Sequence, residues 1–297
     1  MNTMISNNNN HFISSDVNEK ETEQFQRDGF VFINDVVSKE MVSKVKERVS
    51  PLFHGNFETG IFPDEWHWRP GLSKDDITRE IVNAWKCDRR FAQMVLDERL
   101  GKIVAKLMGW SGARIAQDDV FWKPIGGKPI GFHQDQPYMG YFTPNSVATM
   151  WIALTDVSMT NGTLEYVKGS HLWPTTHTIE EAEFHAPDNY LAPLAHAAAS
   201  AGQSEYPRTP VEITAGSCSV HHGMMWHGSA TNPSPLHERI SVAIHYIPAE
   251  SEFNSTKPVG YIYGRYKMYQ SNRLDESFFP IVYQANGYRS ECISTFI

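Results

Sequence analysis

The sequence predicts a mainly β protein in which a double-stranded β-helix (a cupin-like jelly roll) packs against N-terminal helices. From about residue 113 onward, apolar residues recur in short strand-like runs that are separated by glycine and proline. Before that point, apolar residues follow the 3.6-residue period of amphipathic helices. Strands that follow a helical segment are typical of a β-sandwich or barrel covered by helices. A chain of 297 residues is long enough for one such core.

The N-terminal part is predicted to contain three helices and one strand. The helices span residues 19–28, 38–52 and 91–108, and the strand spans residues 30–33. Ser38 is the predicted N-cap of the second helix, and Pro51 marks its end. Residues 54–76, rich in glycine, proline and tryptophan, are predicted to form a loop.

Eight strands are predicted for the jelly-roll core, which covers about residues 113–248. They are residues 113–123, 129–135, 147–156, 164–167, 211–214, 218–222, 228–231 and 239–247. Residues 172–208 interrupt the strand spacing and are interpreted as a possible lid, and the aromatic segment 257–297 as a wrap over the core. Residues 1–17 are predicted to be a disordered tail, and 18–297 a single domain.

Charge and composition exclude several classes of function. The net charge of −8 argues against nucleic acid and an anionic membrane surface as partners. No apolar run reaches the length of a membrane span, and residues 1–12 lack the features of a signal peptide. Three widely spaced cysteines are typical of free thiols. We therefore expect a cytoplasmic protein with a small-molecule substrate; its oligomeric state stays open.

The segment around His133 and Asp135 suggests a metal site. Residues two apart on an extended strand point to the same side, so both can reach one ion. Two histidines and one carboxylate form the facial triad of non-haem Fe(II) oxygenases, and a distal histidine is therefore required. The candidates for it are His221, His222 and His227.

A possible anchor for a second ligand follows twelve residues after His227. Residues 239–246 alternate, with Ile240, Val242, Ile244 and Tyr246 on one face and Arg239, Ser241, Ala243 and His245 on the other. An arginine among small residues on an inward face needs a partner. A dicarboxylic co-substrate would supply a carboxylate for it.

Together these motifs resemble the phytanoyl-CoA dioxygenase family of Fe(II)/2-oxoglutarate dioxygenases. The resemblance runs from about residue 21 to residue 248. It includes His133-Gln134-Asp135, His227-Gly228-Ser229, Arg239-Ile240-Ser241, and the segments Asp28-Gly29-Phe30-Val31, Asn161-Gly162-Thr163-Leu164 and Gly169-Ser170-His171.

The resemblance implies Fe(II) as cofactor and 2-oxoglutarate and O2 as co-substrates. His133, Asp135 and His227 would be the metal ligands, with Arg239 and Ser241 holding the far carboxylate of 2-oxoglutarate. The family's position matching Trp151 lies beside 2-oxoglutarate. Other candidates for cofactor contacts are Thr149, Gln117 and Lys123.

Residues near the motifs are candidates for substrate contact. Four of them flank the ligands, His222 could line the site, and three belong to a Trp-His-Trp-Arg cluster in the loop; ordinary packing is the alternative for the aromatic ones. The candidates are Gln136, Tyr138, Phe142, Trp226, His222, Trp66, Trp68 and Arg69.

The predicted activity is oxidation of an unactivated C–H bond of a small polar metabolite, with release of succinate and CO2. Hydroxylation and oxidative cyclisation or desaturation use the same ligands and stay open. One alternative is an acyl-CoA 2-hydroxylase, although the lysines and arginines do not cluster into a landing surface for coenzyme A. A second alternative is a metal-binding jelly roll without oxygenase activity, such as an isomerase or a binding module.

Overall fold

The computed structural model describes residues 16–174 and 184–297. It shows two main antiparallel sheets that face each other, a small two-stranded sheet formed by residues 142–143 and 252–253, and helices on the outside. The predicted jelly-roll architecture is confirmed. The elements of the N-terminal part are α1 (Glu19–Asp28), β1 (Phe30–Ile33), α2 (Lys39–Phe53), β2 (Glu65–Trp66), β3 (Arg79–Val82), α3 (Ala84–Cys87), α4 (Arg89–Val95) and α5 (Glu98–Met108).

The jelly-roll strands and the C-terminal elements follow. They are β4 (Gly112–Lys123), β5 (Ile130–His133), α6 (Asp135–Tyr138), β6 (Phe142–Thr143), β7 (Ala148–Ala153), β8 (Leu164–Val167), α7 (Ala192–Ser200), β9 (Arg208–Pro210), β10 (Cys218–His222), β11 (His227–Ser229), β12 (Arg239–Pro248), β13 (Glu252–Phe253), α8 (Tyr261–Gly264) and β14 (Ile281–Gln284).

The larger sheet has the strand order β1-β10-β7-β12-β4-β3-β2, with β14 also paired to β4. Its outer face packs on α1, α2, α4 and α5 in the main hydrophobic core. Helix α1 begins with a capping box between Asn18 and Glu21 and ends at Gly29, which adopts a left-handed conformation. Ser38 caps α2, as predicted.

Strand β12 lies at the centre of the larger sheet and shows the predicted alternation. Ile240, Val242, Ile244 and Tyr246 belong to the core beneath the helices. The other face turns toward the second sheet, and it carries Arg239, Ser241, Ala243 and His245. The period-two pattern therefore separates the structural face of β12 from the face that borders the interior of the sandwich.

The smaller sheet has the strand order β5-β11-β8-β9. Within it, His133 of β5 is the direct pairing partner of His227 of β11. A Cβ atom at Gly228 would lie only 2.7 Å from the Phe132 ring, so a glycine is required between these two closely packed strands. Cross-strand pairing brings two of the predicted metal ligands together.

Several predicted elements differ from the structure. The predicted helix 91–108 is two helices, because Asp97 leaves the helical path and caps α5 by accepting from the Arg99 amide. Residues 211–214 form only an isolated bridge, Val157 to Ile213, and the strand paired with β8 is β9. The predicted loop 54–76 contains the short strand β2. Asp135 opens α6 instead of ending β5.

The predicted N-terminal tail, possible lid and C-terminal wrap agree only in part with the structure. Residues 1–15 of the predicted tail and 175–183 of the possible lid lie outside the described residues, but Val17 is buried. Helix α7 packs against Phe132 and Trp226 on the side of the smaller sheet away from the larger one. In the C-terminal segment, Tyr263 and Phe279 pack in a separate aromatic cluster. None of the described helices is long and apolar enough to cross a bilayer.

The Asp97 cap predicts a measurable loss of stability on substitution. Asp97→Ala removes an acceptor for the first turn of α5 and should lower the free energy of unfolding by about 1 kcal/mol in urea titrations. Glu47→Ala, an exposed change in α2, is the control and should stay within about 0.5 kcal/mol of the wild type. Equal losses in both variants would contradict the capping role.

Candidate active site

Three side chains converge between the sheets in a metal-binding arrangement. The ligand atoms of His133, Asp135 and His227 all lie within 4.8 Å of one another. Nε2 of each histidine is 3.4 Å from Asp135 Oδ1. Gln134 has an extended backbone, so His133 and Asp135 still point to one side although Asp135 begins a helical turn. All three residues are buried.

The orientation of each histidine ring is fixed by its other nitrogen. His133 Nδ1 donates to the Gly131 carbonyl at 2.8 Å, and His227 Nδ1 donates to the Met225 carbonyl at 3.0 Å. Nε2 of both rings therefore keeps a free lone pair toward Asp135 Oδ1. Burial and the neighbouring His133 hold the pKa of His227 well below its usual value, which favours the neutral, metal-binding form.

The two oxygens of Asp135 have different surroundings. Oδ1 faces the two histidines, while Oδ2 accepts from Thr149 Oγ1 at 2.5 Å and from His221 Nε2 at 3.0 Å. Burial works against the ionised form, but the surrounding histidines hold the pKa of Asp135 well below its usual value. The carboxylate thus presents one oxygen to a metal ion and has the other fixed by the larger sheet.

A chain of hydrogen bonds continues from Asp135 across the larger sheet. Thr149 uses its single proton for Asp135, so its oxygen accepts from His245 Nδ1 at 2.8 Å. His245 Nε2 donates to Asp119 at 2.7 Å. Both ring nitrogens of His245 therefore carry protons. Burial disfavours the charged ring, but Asp135 and Asp119 outweigh it and raise the pKa of His245 to about 9. Gln117 donates to the other oxygen of Asp119 at 2.7 Å.

A cavity of about 700 Å³ extends from the triad, and Arg239 lies in its wall. Arg239 is 1% exposed, yet within the described part of the chain its Nε and Nη1 have no hydrogen-bond partner, and neither does the buried Ser241 Oγ. The guanidinium lies 5.5 Å from the centre of the Trp151 ring. Burial lowers the pKa of Arg239 to about 9. The Arg239 donors fit an anionic oxygen acceptor that enters the cavity. Ser241 is not among the described residues that line the cavity.

The other predicted cofactor contacts have different positions. Trp151, Thr149 and Gln117 line the cavity, and Thr149 also holds Asp135. Lys123 does not line it: its Nζ donates to Ser229 Oγ at 2.7 Å and to the Ala230 carbonyl at 2.5 Å. Burial and the nearby Arg239 lower its pKa well below the usual value.

Of the eight predicted substrate contacts, the structure places only Tyr138 in the cavity wall. Phe142 and Trp226 are buried in aromatic packing clusters, and so these two predicted contacts are wrong for the cavity shown. His222 lies beside His171, and Gln136 approaches Gly223. Trp68 packs on Phe53, and Arg69 stacks over Trp66. The three predicted contacts Trp66, Trp68 and Arg69 therefore do not line the cavity.

Sequence reasoning missed a polar cluster at another part of the cavity wall. It consists of Glu65, His67, Glu80 and His185, and we call it the Glu80 cluster. His67 pairs with Glu65 at 2.7 Å, and His185 pairs with Glu80 at 3.0 Å. Glu80 could not be singled out because it lies on the short strand β3, for which the sequence showed no clear alternation. His67 lies between Trp66 and Trp68, and aromatic residues in a loop are typical of packing, so the sequence carried no specific signal for it.

The comparisons with known proteins agree with this geometry. Residues 25–240 match the family described as phytanoyl-CoA dioxygenase (PhyH). The chain belongs to the phytanoyl-CoA dioxygenase family. The match covers the sandwich strands as far as Ile240 and includes all three triad residues.

Curated relatives of this PhyH-family chain are distant. Phytanoyl-CoA dioxygenase 1 of rice (Oryza sativa subsp. japonica) is 31% identical over 44% of this chain and 43% of its own length, so that match spans less than half of the rice protein. A probable alpha-ketoglutarate-dependent hypophosphite dioxygenase of Stutzerimonas stutzeri is 25% identical over 75% of this chain and 76% of its own length.

Among solved structures, the fold is similar to SnoN, a non-haem alpha-ketoglutarate-dependent epimerase of nogalamycin biosynthesis. The TM-score is 0.69 at 22% identity, covering 89% of this chain and 97% of SnoN. SnoN has also been crystallised in complex with Fe³⁺, alpha-ketoglutarate and nogalamycin RO. At this identity the similarity establishes the fold.

The position of Thr149 predicts its effect on metal binding. Thr149→Val keeps the shape but removes the donor to Asp135 and the acceptor for His245, so Fe(II) affinity should fall about 10- to 100-fold in anaerobic calorimetric titrations. Thr149→Ser keeps the hydroxyl and should bind Fe(II) nearly as tightly as the wild type. Unchanged affinity in the valine variant would contradict this role.

Proposed function

We propose that the chain is an Fe(II)- and 2-oxoglutarate-dependent oxygenase, with His133, Asp135 and His227 as the metal ligands. One observation carries the proposal: a buried two-histidine, one-carboxylate set shares a cavity with a buried arginine whose Nε and Nη1 have no partner among the described residues. A metal site alone would not need Arg239, which favours this reading over an isomerase or a binding module.

The residues present fit both groups. The two Nε2 atoms and Asp135 Oδ1 form the mixed nitrogen and oxygen donor set that suits Fe(II) and leaves open positions. Arg239 supplies donors for the far carboxylate of 2-oxoglutarate, with Ser241 two residues further along the same face of β12, and Trp151 borders the same space. Family membership and the named cofactor dependence of SnoN and the Stutzerimonas relative support this assignment.

Bound iron would supply the activation of O2 coupled to decarboxylation of 2-oxoglutarate. The protein's own residues keep the ligands oriented and the reacting space dry. His221 and Thr149 fix Asp135, and the carbonyls of Gly131 and Met225 fix the histidine rings. Phe184 packs on the ring of His133 with centroids 4.7 Å apart, which limits access of water to that ligand.

The proposed substrate is a small polar metabolite that is not linked to coenzyme A, and its oxidation is a hydroxylation or an oxidative cyclisation or desaturation. A cavity of about 700 Å³ fits a small molecule. The similarity to an epimerase of antibiotic biosynthesis supports a role in specialised metabolism. Turnover of acyl-CoA thioesters but not of free amino and carboxylic acids in a substrate panel would instead restore the acyl-CoA 2-hydroxylase alternative.

The triad predicts which histidine is essential. In an anaerobic titration with Fe(II) and 2-oxoglutarate, the wild type should develop a weak visible charge-transfer band, and His133→Ala, Asp135→Ala and His227→Ala should not. His222→Ala is the matched control, because His222 points toward His171 and should keep the band. Loss of iron in His222→Ala with retention in His227→Ala would overturn the distal assignment.

If Arg239 anchors the co-substrate, its removal should weaken the binding of 2-oxoglutarate. Removal of one partner of a buried charged pair costs a few kcal/mol, so Arg239→Ala should weaken 2-oxoglutarate binding about 100-fold or more. Arg69→Ala, an exposed arginine outside the cavity wall, is the control. The dissociation constant is read from the charge-transfer band, and an unchanged value for Arg239→Ala would refute the anchor.

A further inference from the structure

We infer that the Glu80 cluster is the recognition site for a protonated amine on the substrate, with Glu80 as the residue that receives it. This inference rests on the proposed function, because it assigns the substrate side of the same cavity. It identifies the chemical class of the substrate's polar group: a primary or secondary ammonium instead of a carboxylate or a phosphate.

The first observation is the distribution of charged side chains around the cavity. Among the described residues that line it, Arg239 is the only lysine or arginine, whereas four carboxylates line it: Glu65, Glu80, Asp119 and Asp135. Residues 175–183, outside the described part, contain no lysine or arginine either. With Arg239 taken by 2-oxoglutarate, the other cations described in the wall are His67 and His245, whose pKa values are raised to about 9. Both are already paired with carboxylates, His67 with Glu65 and His245 with Asp119, so an anionic substrate group would have to compete for them.

The second observation is that Glu80 is the more buried of the two lining carboxylates that have a single side-chain partner: its side chain is 7% exposed, against 26% for Glu65. Asp135 and Asp119 each accept from two side chains, as described above, and Glu65 pairs with His67. In the described part of the chain, the only polar partner of the Glu80 side chain is His185 Nε2, which lies 3.0 Å from Oε2. Its Oε1 has none.

Glu80 is also largely removed from bulk solvent. Its side chain is 7% exposed, and a carboxylate at that depth requires several hydrogen bonds. Burial opposes ionisation, but His185, His67 and His245 lower its pKa below the usual value, so the group is an anion. An ammonium donor entering from the cavity would supply both the missing hydrogen bonds and the opposite charge.

The position of Glu80 suits an anchor that is separate from the reacting centre. It is paired across β3 and β4 with Phe121, which lines the cavity, and His185 follows Phe184, which packs on the metal ligand His133. Aromatic side chains, among them Tyr138, Tyr141 and Tyr263, border the same space and suit the apolar part of a substrate. An amine held at Glu80 would therefore place a neighbouring carbon chain beside the triad.

The test uses three probes of one shape: benzylamine, benzyl alcohol and benzoate. Each is titrated calorimetrically into the full-length protein loaded anaerobically with Fe(II) and 2-oxoglutarate. Benzylamine should bind about tenfold more tightly than the other two, and Glu80→Gln should remove that preference without changing the affinity for benzyl alcohol. Glu212→Gln, an exposed glutamate of the same chemistry, is the matched control and should keep the preference.

Three outcomes would overturn the inference. Benzoate or benzyl alcohol could bind as tightly as benzylamine, or the preference for benzylamine could persist in Glu80→Gln. Alternatively, equilibrium dialysis could show a second Fe(II) per chain that is lost in Glu80→Gln, since His67, Glu80 and His185 also lie close enough to hold a metal ion. The charge-transfer band checks that Glu80→Gln is folded, and its absence from the wild type would refute the proposed function separately.

Discussion

The rest of the site depends on the hydrogen bonds that hold the Asp135 carboxylate in one orientation, with each oxygen facing different partners. One oxygen completes a cluster with His133 and His227, and the other is held by Thr149 and His221. A carboxylate that rotated freely could offer either oxygen, or both, to a metal ion. The larger sheet removes that freedom, and it does so with side chains on the inward faces of β7 and β10.

Much of the fold and of the inner site follows from periodicity along single strands. The alternation in β12 separates Arg239 and Ser241 from the core residues between them, because side chains on a strand must point to opposite faces. Spacing and alternation were enough to propose His133, Asp135 and Arg239 but left His221, His222 and His227 open as the distal ligand; the family resemblance selected His227. Roles that depend on one strand and one local motif are therefore accessible from the sequence.

Features that depend on distant packing were not accessible. Phe142 and Trp226 adjoin the ligands in sequence, yet their rings point into packing clusters formed with residues far along the chain. The break at Asp97 was hidden because apolar residues continue at helical spacing on both sides of it. Glu80 becomes recognisable only when β3 pairs with β4 and brings it to the cavity wall.

The two sheets contribute different parts of the site, and this has a consequence for its mechanics. His133 and His227 belong to the smaller sheet, and Asp135 directly follows it, whereas Arg239, Thr149 and His221 belong to the larger one. Metal and co-substrate together would link the two sheets through non-covalent contacts. The apo protein lacks this link, so its sheets should separate more often, and amide hydrogen exchange between them should be faster than in the protein with metal and co-substrate bound.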